Sequence, residues 1–506
     1  MLNLRFDLTN PQMTLLHRVG LVGLWMTLKS LDCAPTPQGL TWHLGQTGLE
    51  LFCHSKSDLD WLFKSAFQIE DGIIVLSARR LTERHVQILL HNAILRTFLQ
   101  HNQSRKLECN PERTEAFVID FDKPPLILTY KRVAEYKYQT FSEFLWDENK
   151  QIFCQNVKLN GWIYPGAIQP HAAVSGSNFI EPLDLALLLP FASIAAYYYV
   201  LKDQGGREDY ALVLSDCENL PEFYKNWEIM ARFIPVQEQY VSSIADAALK
   251  CLLSTAQNHC QVAIFKQNSW SKQQRTRTQV AELSLPSIPC KYKTPILEIY
   301  KACQNIFPNF LYSSKPQKGK DSELIIYPSS LKGAIVDNIL NGRVWYAGFY
   351  RKLCNANGTL NRFEGRRLRQ MFEQGLEQEI EKIFVSVCHE ILRQYFGRLY
   401  AEAKREGKNV DFGGEVQKLY YTMRRGKSLQ DFRKFLIDFW REGRAEEIEK
   451  YWQELWKFIN KDWERARDLT VLAFCSYPTR SQNQKTESEE SLSIAETVDT
   501  QVESML

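Results

Sequence analysis

The spacing of apolar residues changes near Arg366, and that change limits what the chain can fold into more than any other feature. From there to about Tyr477 apolar residues recur almost entirely at helical intervals. Leu376, Ile380, Phe384, Val387, Ile391 and Tyr395 make one stripe, and Val416, Leu419, Tyr420 and Met423 a second. Phe432, Phe435, Leu436 and Phe439 make a third, and Ile448, Trp452, Trp456, Ile459 and Trp463 a fourth. Glycine-containing joints at Gly413-Gly414, Gly426 and Gly443 separate the last three. The expectation is a helical bundle.

Ahead of Arg366 the signals alternate. Thr14–Leu31 reads as a helix, Gly72–Ser77 as a short strand and Leu81–Leu99 as a helix. Ala116–Phe121 and Leu126–Lys131 read as strands parted by Pro124-Pro125, and Ala195–Leu201 with Tyr210–Ser215 as a hairpin around Gly205-Gly206. This mixed order favours an α+β fold over a regular βαβ array. Pro182–Leu201 is the one stretch long enough to suggest a membrane span, but Asp184 and Pro190 interrupt it, so it reads as buried core. Ser284–Pro295 and Ser313–Ser322 read as exposed loops. At 506 residues two or more domains are expected. The division is a large mixed α/β region over residues 1–365, an all-α bundle over 366–477, and a disordered acidic tail over 478–506.

Charge is distributed unevenly. Residues 262–370 hold 18 Lys/Arg against 6 Asp/Glu, whereas residues 1–261 hold 23 against 28. A local excess of that size is the footprint of a phosphate-binding surface, the plain alternative being a solvated basic face. The 12 cysteines are scattered, with no CxxC pair and no zinc-finger spacing, so reduced thiols in a cytoplasmic protein are expected and no metal site or cofactor. Asp7 and Pro11 interrupt the N-terminus before any signal-peptide run develops.

Catalytic motifs do not assemble. Arg425-Gly426-Lys427-Ser428 lacks the earlier glycine of a phosphate-binding P-loop, because Tyr421 stands there. Asp411-Phe412-Gly413 has no kinase catalytic loop beside it. Asp120 and Asp122, two apart at a strand end, could share a magnesium ion, but with no third carboxylate nearby they read as a solvated turn. The chain is therefore read as no enzyme, with no catalytic residues.

Phosphate-binding chemistry is present instead. Ser269–Val280 sets Lys272, Arg275 and Arg277 beside Trp270, Gln273 and Gln274, with Lys266 just upstream. Guanidinium groups grip phosphate bidentately, amides read base edges and indoles stack. Gly342–Arg369 adds Arg343, Arg351, Lys352, Arg362, Arg366, Arg367 and Arg369 among Trp345, Tyr346, Phe349 and Tyr350. Arg79 and Arg80 follow a short strand, and Arg424, Arg425 and Lys427 sit at a helix joint. A separate glycine- and proline-rich loop, Gly161–Ser177, carries Trp162, Tyr164, Gln169 and His171, which suit either a groove-probing tip or an interdomain turn.

Taken in order, Phe6–Leu28, Gly161–His171, Ser269–Val280 and Gly342–Phe349 resemble the large subunit of a type I CRISPR surveillance complex (Cascade), in its MYXAN variety related to type I-A and I-B large subunits. The likeness covers roughly residues 4–370, the bundle matching more in architecture than in residues. It implies a non-catalytic subunit that senses the protospacer-adjacent motif (PAM) in double-stranded target DNA and helps strand opening and R-loop formation, while crRNA pairing reads the target. It implies as partners the backbone, 5′-handle and small subunits, together with a recruited nuclease-helicase or transposon adaptor, and no membrane. Some relatives hold a cysteine zinc site, which this chain lacks. The rival is a metal-dependent nuclease or crRNA-processing endoribonuclease of a similar system. Met371 stands alone between Met230 and Met423, and Arg366-Arg367 can be encoded as a ribosome-binding sequence, so an internal start there is expected to yield a separate helical small subunit.

Overall fold

A computed structural model describes residues 1–160, 178–202, 208–232, 235–266, 277–285, 294–314, 322–354 and 358–478. The chain forms two compact units, one made of Met1–Ser287 with Asn309–Pro328, the other of Ile288–Pro308 with Ser329–Leu506.

In the first unit, β1 (Leu2–Asp7) precedes α1 (Leu15–Leu31), β2 (Leu40–Leu44) and β3 (Gly48–Cys53), and the strands form an antiparallel sheet ordered β1-β3-β2. Then come α2 (Lys56–Ala66), the hairpin of β4 (Phe67–Glu70) and β5 (Ile73–Leu76), and α3 (Arg84–Arg96). The strand expected at Ala116–Phe121 lies earlier: β6 (Arg105–Phe117) pairs antiparallel with β7 (Leu126–Tyr136), and four of the six expected residues, Val118–Phe121, lie beyond it. The polar first half of β6 is exposed or half-buried, so no apolar alternation marks it. Asp120, expected in a solvated turn, is there, paired with Lys123 at 3.6 Å.

Two small ladders follow, β8 (Trp146–Asp147) with β9 (Ile152–Phe153) and β10 (Asn156–Asn160) with β11 (Asn178–Pro182). Next is α4 (Leu183–Ala195), whose side chains are buried almost throughout, as a core helix requires. Pro190 lies inside this helix, and the Ser193 hydroxyl donates to its carbonyl oxygen at 2.8 Å. Helices α1 and α4 touch backbone to backbone. A Cβ on Gly20 would lie 2.3 Å from the Leu188 carbonyl oxygen, and one on Gly23 1.9 Å from that of Phe191. Among the described residues no helix is long and apolar enough to cross a membrane.

The expected hairpin is present as β12 (Tyr197–Lys202) and β13 (Glu208–Ser215). With α5 (Leu220–Arg232), β14 (Tyr240–Val241), α6 (Ile244–Thr255), β15 (His259–Lys266) and β16 (Arg277–Ser284) it builds a five-stranded sheet ordered β14-β12-β13-β15-β16. The chain then contributes α7 (Ile296–Ile306) to the second unit before β17 (Phe310–Ser313) and β18 (Leu324–Tyr327) complete a first-unit sheet ordered β17-β18-β7-β6.

Among the described residues the rest of the second unit is mainly helical: α8 (Ser330–Leu340), α9 (Phe349–Lys352), α10 (Gly365–Glu373), α11 (Glu379–Glu406), α12 (Phe412–Arg425), α13 (Leu429–Trp440), α14 (Glu446–Lys461) and α15 (Trp463–Ser476). The Asp-Phe-Gly triplet is a helix start, with Asp411 accepting from the Gly414 amide at 2.9 Å. Ser428 likewise caps α13, which turns the apparent P-loop ending into a helix joint. The fourth apolar stripe divides at Asp462, which caps α15. Within α14 the buried residues are Leu455 and Ile459, while Trp452 is exposed.

Candidate nucleic-acid interface

In the first unit, β15 and β16 run from the pair His259↔Ser284 to the pair Lys266↔Arg277. Val262, Ala263, Ile264 and Phe265 are buried, which anchors the strand that leads to Lys266. The backbones of Lys266 and Arg277 therefore stand opposite one another at the end of the ladder. Trp270, Lys272, Gln273 and Arg275 lie outside the described residues. So do Trp162, Tyr164, Gln169 and His171, although the flanking β10 and β11 pair from Asn156↔Pro182 to Asn160↔Asn178.

Arg79 is placed inward. Its Nε donates to the Ile194 carbonyl at 2.9 Å, a terminal nitrogen donates to the Ala196 carbonyl, and its guanidinium lies over the rings of Tyr198 (5.2 Å) and Trp227 (5.7 Å). Burial lowers its pKa. A guanidinium so enclosed serves the interior rather than a phosphate. Arg80, the next residue, is exposed, with a left-handed φ of 48°.

In the second unit three aromatic residues of Gly342–Arg369 are core, not stacking surface, while Tyr350 is half-buried. Trp345, Tyr346 and Phe349 are fully buried. The Trp345 indole donates to Glu377 Oε1 at 2.7 Å and the Tyr346 hydroxyl to Glu381 Oε1 at 2.6 Å, while Arg465 pairs with Glu381. Asp468 accepts from the amides of Gly348 at 2.7 Å and Tyr350 at 2.8 Å. Gly348 has φ +77°, a conformation that favours glycine. Arg467 lies over Tyr350, 3.8 Å from the ring centre, and over Trp463 at 4.6 Å. Burial pushes the Glu377 carboxyl up to about 7 and that of Asp468 to about 6. Trp463 and Arg467 aside, these partners are 32 to 120 residues apart in sequence, so spacing gave no sign of them.

Three cations lie beside this junction in the sequence. Arg343 and Arg351 are exposed and border a cleft of about 490 Å³. Lys352 is exposed by residue, yet its amine is partly desolvated, which lowers its pKa, and it donates to Asn338 Oδ1 at 3.5 Å. Other basic residues of the segment are engaged internally. Arg362 donates to the Tyr477 carbonyl at 3.1 Å, Arg367 pairs with Glu364 at 3.2 Å, Arg369 with Glu373 at 3.0 Å, and Lys332 is buried over the Tyr300 ring. At the α12–α13 joint Arg425 and Lys427 are exposed, and Arg424 donates to the Gly358 carbonyl at 3.2 Å. Among the described residues no group of three His, Cys, Asp or Glu could hold a metal ion.

Two family models match the chain, one described as the DevT N-terminal domain over residues 5–190 and one as the DevT C-terminal domain over residues 373–505. The CRISPR-associated protein Cas8a1/Csx13 of Myxococcus xanthus (strain DK1622) is 25% identical over 522 positions, which cover 92% of this chain and 87% of that protein. The second model spans α11 to α15, so the helical part is matched in residues as well as in architecture.

Proposed function

This chain belongs to the DevT family, whose N- and C-terminal domain models both match it, and we propose that it is the non-catalytic large subunit of a crRNA-guided type I effector complex. It recognises the PAM in double-stranded DNA and helps strand opening and R-loop formation. The observation that carries the reading is the alignment of a Cas8a1/Csx13 protein along 92% of the chain, with both DevT domains in order. Its partners are crRNA, target DNA and the other Cascade subunits, with a recruited nuclease-helicase or transposon adaptor.

In this proposal residues 1–365 meet the PAM and the crRNA, and residues 366–477 line the path of the opened DNA. Lys266, Trp270, Lys272, Gln273, Arg275 and Arg277 grip the backbone from the β15–β16 end, Arg343, Arg351 and Lys352 from the second unit, and Arg80 more weakly. Trp162, Tyr164, Gln169 and His171 probe the PAM, and Arg424, Arg425 and Lys427 meet the opened strand. Replacing Lys272, Arg275 and Arg277 together with Ala is expected to weaken duplex binding and lower its salt dependence by about 0.9 log units per lost contact. Unchanged binding moves the grip elsewhere. Incubation with labelled RNA and DNA, with and without magnesium, tests the nuclease alternative: cleavage abolished by one carboxylate or histidine substitution would establish an enzyme.

The second part of the proposal is an internal start at Met371, giving a small subunit of residues 371–506. The C-terminal family match opens at residue 373, which supports this boundary. Met371 is buried within α10, so the short product would start inside that helix and keep α11 to α15 whole. Met371→Leu preserves apolar volume and should abolish the short product. Absence of that product from the unaltered strain refutes the idea.

A further inference from the structure

Helix α14 exposes a pair of stacked indoles. Trp452 is 44% exposed, and its ring lies 5.3 Å from that of Trp456 with only 12° between their planes. The pair is anchored from beneath, because Trp452 meets the buried Trp440 edge-on at 6.2 Å and Trp440 meets Phe384 at 6.1 Å. The guanidinium of Arg433 sits 5.5 Å from the Trp456 ring centre and also holds Asn460. An indole pair that leaves one ring 44% exposed holds apolar surface in water, which a partner would cover.

The surroundings indicate what does. The shallow face consists of Trp452, Gln453, Trp456, Lys457, Asn460 and Lys461, with two ammonium groups, two amides and no carboxylate. The acidic residues Glu446, Glu447 and Glu449 sit in the first turn of α14, ahead of the non-helical Tyr451. Glu454 follows Trp452 by two positions, which on a helix is the far side. Flat π-faces beside cations complement a polyanion that presents unpaired rings.

We propose that Trp452 and Trp456 form a stacking platform for the bases of single-stranded nucleic acid, with Lys457 and Lys461 meeting its phosphates. Bases inside a duplex are already stacked on their neighbours, so the platform selects unpaired strand. This inference deepens the proposed function and rests on it, since it assigns a site for the opened strand on α14.

The test uses the full chain with a dye-labelled oligothymidylate, and with a duplex of equal length as control, read by fluorescence anisotropy. Trp452→Ala is expected to weaken oligothymidylate binding roughly ten-fold while duplex binding stays the same. Trp452→Leu, which keeps apolar bulk against Trp440, should weaken it similarly, and Trp452→Phe should restore most of it. Trp452→Ala should leave the salt slope unchanged, whereas Lys457→Gln and Lys461→Gln should each reduce it by about 0.7. If the unaltered chain binds oligothymidylate and Trp452→Leu binds it equally well, the platform is refuted while the proposed function stands, and the face is a protein-docking surface instead. Equal loss of oligothymidylate and duplex binding also refutes selective stacking. If the unaltered chain binds neither nucleic acid, the proposed function itself fails.

Discussion

Trp345 and Glu377 meet through a 2.7 Å hydrogen bond in which a buried indole donates to a buried carboxyl. Burial raises the Glu377 pKa to about 7 against this and other hydrogen bonds that lower it, so the carboxyl titrates near neutrality. The folded protein holds that proton more tightly than the unfolded chain. Stability from this group is therefore full below the ordinary carboxylate pKa and declines as pH rises towards 7.

Glu377→Gln should remove that decline. Melting temperature measured from pH 5 to 7.5 should fall in the unaltered protein relative to the variant, by an amount equivalent to at most about 3 kcal/mol. Parallel curves would show that Glu377 is ionised throughout.

Asp468 fixes the backbone of the 348–350 turn through two amides. Asp468→Ala leaves both donors without their acceptor, and a loss of about 1–3 kcal/mol is expected from the midpoint of urea unfolding. Asp468→Asn should lose less, because its carbonyl oxygen still accepts one of them.

Adjacent arginines should behave oppositely. Arg79→Met should lower the melting temperature, by about 2–3 kcal/mol equivalent, through the orphaned carbonyls of Ile194 and Ala196. It should leave duplex affinity unchanged well below melting. Arg80→Gln should leave melting unchanged and reduce the salt slope of duplex binding by about 0.9 if it meets a phosphate. Reversed results would place Arg79 at the interface.

Gly20→Ala and Gly23→Ala should each disrupt the α1–α4 contact, because the new methyl meets a carbonyl oxygen at 2.3 Å or 1.9 Å. Losses of about 3 kcal/mol or more, or insoluble protein, are expected. Normal stability would mean that the helices can move apart.

The sequence was informative where one face of an element is buried and the other solvated. The stripe Phe432, Phe435, Leu436, Phe439 is buried throughout, and the β12–β13 hairpin formed where its glycines indicated. It was silent at both extremes. The first half of β6 has little to bury and α15 is buried on nearly every face from Leu469 to Ser476, so neither carries an amphipathic period. Aromatics among arginines are ambiguous by nature. Trp345 and Tyr346 sealed a junction through carboxylates distant in sequence, whereas Trp452, assigned to a core stripe, remained at the surface.

The backbone passes between the two units three times, and this orders events during synthesis. Until β18 has followed α7 out of the ribosome, β7 waits with the edge that will pair Leu324 with Leu126 uncovered. A fragment ending at Ser287 makes that temporary state permanent, and strand-to-strand association of such fragments is its natural outcome.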